Sequence, residues 1–313
     1  MDVRIGVLLA PLLVPLLLLA IWLARWSPWS QRPLELDPSR YGALLAGQRK
    51  AVGWRWAGLG AGVVVASLTA VTARAGLYNL GAMLSAPVFG LCVMGGVVAG
   101  ELTTIPPRQG VRTAAFETRT VGEYLPRGLG SLVAASALGL GALLVTTTLM
   151  GSADDAGLAG RFLSRQCGPD IWARNGPWPG SFYSLPLGIT VVVGLLGAAV
   201  ALRTLVLRPR AGSDRDIVAA DDVLRRRSVE AVVAATGVMV AASLSGVALV
   251  AGIQLHRLAC SPASWTVFGV ALLAVGLLML LLTSWCLALL LAGRRITPVG
   301  SGVTDAALQA VRR

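Results

Sequence analysis

Residues 265–292 read WTVFGVALLAVGLLMLLLTSWCLALLLA, an unbroken apolar run without Asp, Glu, Lys, Arg or His. A helix needs about 20 such residues to cross a hydrocarbon layer of roughly 30 Å. Inside that layer no water can serve the backbone, so only a helix or a closed β-barrel can span it. The run lacks the period-two alternation of a barrel strand, so it reads as a helix. Comparable runs lie at about 5–24, 53–73, 78–100, 129–150, 186–207 and 229–253. The expectation is therefore an all-α, polytopic transmembrane bundle of seven spans. Residues 1–313 form a single integral membrane domain, with no Ser-rich linker or long polar tract to divide it. The first run, with Pro11 and Pro15 inside it, reads as a retained helix. It is longer than a signal-peptide core, and no A-x-A-like site follows it before Arg25.

The composition agrees. Hydrophobic residues make up 55% and charged ones 13%, against roughly 25% charged in an ordinary soluble domain. The mean hydropathy is +0.73. A water-soluble globular protein, a disordered chain and a disulfide-rich secreted module are all excluded.

Orientation follows from the basic residues, which favour cytoplasmic loops. Of the 27 Lys and Arg, 19 fall in alternate segments 25–52, 101–128, 208–228 and the tail 293–313, and 6 fall on the opposite side. The expected topology is N-terminus outside and C-terminus cytoplasmic, in the plasma membrane of the cell. Trp22, Trp26, Trp29, Trp54 and Trp56 then mark the inner interface, and Trp172, Trp178 and Trp265 lie at or beyond the outer one. The net charge of +12 is mostly this bias, and no basic–aromatic nucleic-acid module accompanies it.

Cys92 and Cys286 sit within spans and read as small apolar fillers. Cys167 and Cys260 fall in two outer loops facing an oxidising compartment, and we expect a disulfide between them, the alternative being two free thiols. The outer segment 151–185 is rich in Pro and Gly and reads as a turn-rich lid with interfacial aromatics. Its Asp154, Asp155 and Asp170 lack the spacing of an EF-hand. No metal site and no cofactor are expected.

On the inner side, Asp37 and Pro38 open a segment with Tyr41, Leu44, Leu45 and Gln48 at helical spacing. It reads as a short amphipathic helix on the leaflet. Arg112, Arg119, Arg127, Arg225, Arg226 and Arg227 are candidate contacts for anionic inner-leaflet lipid or for a cytoplasmic protein partner. Arg55, Glu101, Arg203 and Glu230 form a candidate charge cluster at the inner ends of spans, with Glu230–Arg203 as an expected ion pair, the alternative being that each snorkels independently. Small-xxx-small steps at Gly58/Gly62, Gly96/Gly100, Gly194/Ala198, Gly197/Ala201 and Gly237/Ala241 suit close helix packing.

No ionisable residue falls near the midplane of any span, which counts against a proton- or sodium-coupled transporter. One histidine, His256, cannot supply an H-E-x-x-H site, and no G-x-S-x-G elbow is present. No catalytic residue is assigned, and the chain reads as more consistent with a non-enzyme.

Three stretches together, Gly100-Glu101-Leu102-Thr103, residues 176–186 (GPWPGSFYSLP) and residues 220–228 (ADDVLRRRS), resemble uncharacterised multi-helix integral membrane proteins of high-GC bacteria. That resemblance implies a helical membrane fold and imports no activity. Three functional readings follow. The first is a non-catalytic membrane subunit or scaffold holding a cytoplasmic partner. The second is the permease component of a transporter for a hydrophobic or amphipathic solute, energised by a separate ATPase. The third is a lipid-modifying enzyme or receptor.

Overall fold

The structure is a computed structural model that describes residues 38–72, 79–103, 124–154, 157–207 and 215–291. The run at 5–24, the loop residues Arg112 and Arg119, Asp155 and the tail 293–313 lie outside the described residues. Six helices account for most of what is described: α1 (Pro38–Thr72), α2 (Leu80–Thr103), α3 (Arg127–Met150), α4 (Ser181–Leu207), α5 (Arg215–Arg257) and α6 (Ala263–Leu291). Between α3 and α4 stand two short strands, β1 (Leu163–Gln166) and β2 (Trp172–Asn175). All six helices are long and apolar enough to cross a membrane, so the chain is a multi-pass membrane protein by length and composition.

Two helices are longer than the hydropathy pattern foretells. The amphipathic segment after Asp37 is not a separate surface helix, because α1 runs without a break from Pro38 to Thr72. No proline interrupts it, and the glycines at 42, 47 and 53 cost a helix only about 1 kcal/mol each. α5 begins at Arg215 and carries the charged stretch 221–227 as helix, ahead of the apolar run. α4 starts at Ser181, ahead of the expected 186, with Pro186 accommodated in its second turn.

α5 is the axis of the bundle. Of its membrane-length stretch 83% is buried, against 17% for α1. It packs on α6, α2, α3 and α4, while α2 and α3 each also touch α4. Ser136 of α3 reaches the Met279 sulfur of α6 at 3.6 Å, closing the ring on the other side. α1 lies outside this ring, packed along α2 and grazing α6.

Small residues make these approaches close. A Cβ on Gly58 would stand 2.8 Å from the Gly96 Cα, and one on Gly100 3.1 Å from the Ala51 Cα. The two steps Gly58/Gly62 and Gly96/Gly100 thus face each other across the α1–α2 seam. Gly90 and Gly194 take Met239 of α5 between them, and Gly237 meets Cys286 and Val133. Lipid offers helices no hydrophobic reason to associate, so this backbone proximity and its dispersion contacts hold the bundle.

The buried hydroxyls are served at home. Ser136, Thr147, Thr236, Ser243 and Ser284 each donate to the carbonyl four residues back in their own helix. Ser245 instead crosses to the Gly276 carbonyl at 2.8 Å.

Candidate functional site

Two polar assemblies stand at opposite ends of the bundle. At the basic end, where α1 and α5 begin, Glu101 in the last turn of α2 is buried. Its Oε1 accepts from Arg55 Nη2 at 3.2 Å, and its Oε2 accepts from Ser228 Oγ at 2.5 Å. One carboxylate thereby joins α1, α2 and α5. A turn earlier on α5, Arg225 is 5% exposed; it pairs with Asp221 at 3.0 Å and donates to the Val206 carbonyl near the end of α4 at 2.8 Å. Tyr124, just ahead of α3, donates to Asp222 at 3.4 Å. Asp222, Arg225 and Ser228 are spaced three apart, so adjacent faces of one helix reach three different neighbours.

The expected charge cluster is therefore half assembled. Arg55 and Glu101 pair, but the structure forms no Glu230–Arg203 pair: Arg203 is exposed and Glu230 half-buried. Helical rotation explains this. Arg203 follows Leu202 and precedes Leu205 and Val206, which turn toward the core and leave the guanidinium on the outer face. Of the expected lipid or partner contacts, Arg127 and Arg226 are exposed and Arg227 is half-buried. Arg225 differs from that expectation: its ion pair and carbonyl bond turn it inward, into the bundle. Ser228 and Asp221 join the site without being among its expected members, and their one signal for it is their spacing from Arg225 on a single helix.

At the other end, the segment between α3 and α4 is folded onto the bundle. β1 and β2 pair antiparallel, Leu163 opposite Asn175 and Gln166 opposite Trp172. Cys167 and Cys260 form the expected disulfide, tying the hairpin to the α5–α6 turn. Trp178 does not lie with its ring open to the surroundings. It is fully buried, with Nε1 donating to the Thr147 carbonyl at 2.7 Å and its amide donating to the Arg161 carbonyl at 2.8 Å. The flanking Pro177, Pro179 and Gly180 turn the chain back so the indole can enter the core. Gln254 and Asn175 exchange side chain-to-backbone bonds between α5 and the lid: Asn175 Nδ2 to the Gln254 carbonyl at 3.0 Å, and Gln254 Nε2 to the Pro177 carbonyl at 3.3 Å.

Arg161 is buried in the same lid. It pairs with Asp154 at 2.9 Å and stands 4.2 Å from the Phe182 ring centre. Asp154 also accepts from the Leu158 amide at 2.8 Å, so this carboxylate serves the lid's own turn. Among the described residues, no group of three His, Cys, Asp or Glu is placed to hold a metal. His256 is exposed at the end of α5. No known family model matches the chain, and neither a curated protein nor a solved structure shows significant similarity to it.

Proposed function

We propose that the protein is a non-catalytic membrane subunit that holds a partner protein at its basic end, with that end in the cytoplasm. The observation that carries this reading is the overrun of α1 and α5 at one end. α5 has 43 residues, about 65 Å of helix at 1.5 Å per residue, where about 30 Å suffices for the hydrocarbon core. α1 has 35 residues, of which the membrane-length stretch starts only at Arg49. Both overruns lie at the N-terminal ends of their helices. Glu101, bonded to Arg55 and Ser228, marks that as a shared end of the bundle.

The rest of the bundle supports a holding role. Its interior hydroxyls are satisfied by helix carbonyls, and the described charges stand at the ends rather than along the axis. An overrun helix braced at its root by buried side chains is a rigid post, which suits docking. Positive charge at that end, with Arg49, Lys50 and Arg226 exposed, suits both the cytoplasmic leaflet and an acidic protein surface. The same reading places the N-terminus outside and the run 5–24 as a seventh span.

The test is site-specific photo-cross-linking in native membranes from Arg49 and Arg226, with Trp172 at the opposite end as control. One protein captured in fixed proportion at the first two positions and absent at the third supports the reading. Capture at none of the three overturns it. A captured nucleotide-hydrolysing protein would turn it toward the permease component of an ATP-driven transporter.

A further inference from the structure

We infer that the Cys167–Cys260 disulfide is a reversible redox latch on the lid. A dithiol reductant opens it in the folded protein, freeing the hairpin tip from the α5–α6 turn and leaving the hairpin base seated. This stands independently of the proposed function. The base is held by contacts other than the bond. Leu163 and Ala173 pack with Leu140, Leu187 and Leu244 in the core, Asn175 bonds to the Gln254 carbonyl, and the Trp178 indole is fully buried. The tip, from Gln166 to Trp172, is bonded to itself. Gln166 Nε2 donates to the Pro169 carbonyl at 3.1 Å, the Cys167 amide to the Ile171 carbonyl at 2.7 Å and the Ile171 amide to the Gly168 carbonyl at 3.4 Å. The disulfide carries this tip across to the α5–α6 turn, and beside it the Arg165 guanidinium stands 5.1 Å from the ring centre of Trp265.

Two independent features make the bond reducible. Cys167 and Cys260 are both exposed, so a reductant has access to it while the helices stay folded. Cys260, just past the end of α5, also holds a φ of 51°, in the left-handed region that residues with a Cβ disfavour. The closed bond pins Cys260 to the tip in that conformation, and opening it lets the turn relax. Exposed and strained disulfides form the easily reduced class, in contrast to resistant structural ones. The exchange is balanced. A thiolate of the reductant attacks one sulfur, the Cys167–Cys260 bond breaks as a mixed disulfide forms, and the second thiol of the reductant resolves it. The reductant gives up two electrons and two protons and leaves as a disulfide, and Cys167 and Cys260 end as thiols. The lid thereby has two states, with the tip docked at the start of α6 or released above a base that has not moved.

The test uses the full chain in lipid nanodiscs, with reduced thioredoxin as the dithiol and no denaturant during the reaction. After acid quenching, maleimide labelling in denaturant should count two more thiols per chain than in the untreated protein. Amide exchange over 166–172 should speed up by about tenfold or more, while the Trp178 amide, bonded to the Arg161 carbonyl, keeps its protection. Oxidised glutathione should restore both the bond and the slow exchange. The double change Cys167→Ser with Cys260→Ser should show the fast tip exchange from the start and no response to thioredoxin. A bond that resists thioredoxin until the protein is unfolded would overturn the latch. So would reduction that leaves exchange at the tip unchanged, or that strips protection from Trp178 as well, since the bond would then be a plain staple or the support of the whole lid.

Discussion

The two ends of the bundle are closed by different chemistry. The lid end uses a covalent link, backbone hydrogen bonds and a buried indole, Trp178, that belongs to a connecting segment rather than to a helix. The basic end has side-chain ties that converge on one stretch of α5, from Asp221 to Ser228. A lid built from many contacts loses them one at a time. A hub loses several neighbours if a single helix turn shifts. The difference teaches where the molecule is stiff by redundancy and where it is stiff only because particular charges are present.

The sharpest way to break the comparison is Trp178→Ala. Removing a fully buried indole should cost about 3–5 kcal/mol, read as a lowered midpoint of thermal unfolding in detergent. A small effect would mean that the lid's other contacts hold it without the indole, and that Trp178 is not what seats the lid in the core. Next is Glu101→Ala at the basic end. It strips Arg55 and Ser228 of their shared acceptor, and because Arg55 keeps 15% exposure the loss should not exceed about 3 kcal/mol. Glu101→Gln, which keeps an acceptor for Ser228, should lose less.

The double change Cys167→Ser with Cys260→Ser sharpens the redundancy claim. The chain-entropy bound for a 93-residue separation is about 4–5 kcal/mol. The observed loss should fall well below it, since Trp178 and Gln254 still hold the lid and the bilayer already restrains the chain. Proteolytic nicking confined to 167–171 would be its signature. The smallest effect belongs to Arg203→Ala, exposed and outside the hub, where stability should stay within about 0.5 kcal/mol. A larger loss there would extend the hub onto the outer face of α4.

Hydropathy was enough to find each of the six described spans, because about 20 apolar residues is a strong signal. The disulfide was legible as well: alternation of sides puts Cys167 and Cys260 together before any geometry is known. What escaped depends on rotation about helix axes. Arg203 and Arg55 look alike in sequence, but the α1–α2 seam at Gly58 and Gly96 turns Arg55 onto Glu101, while Leu202 and Val206 turn Arg203 outward. The stretch 221–227 lies outside the apolar run because it is charged. It is helix because Asp221, Arg225 and Ser228 each find a partner on a neighbouring turn or element. The burial of Trp178 escaped as well, because it stands in a segment of Pro and Gly, and those same neighbours let it fold inward.

The enclosure of α5 also bears on how the protein is made. Translation delivers α2, α3 and α4 before the helix they surround, so the early helices wait in the membrane around an unfilled centre. Gly90 and Gly194, which take Met239 between them in the finished bundle, have nothing to receive until the fifth helix arrives. A chain stalled before residue 229 would leave these faces open to quality-control proteases. Enclosure of the axis is thus a late event in synthesis, begun when α5 arrives and finished only by α6.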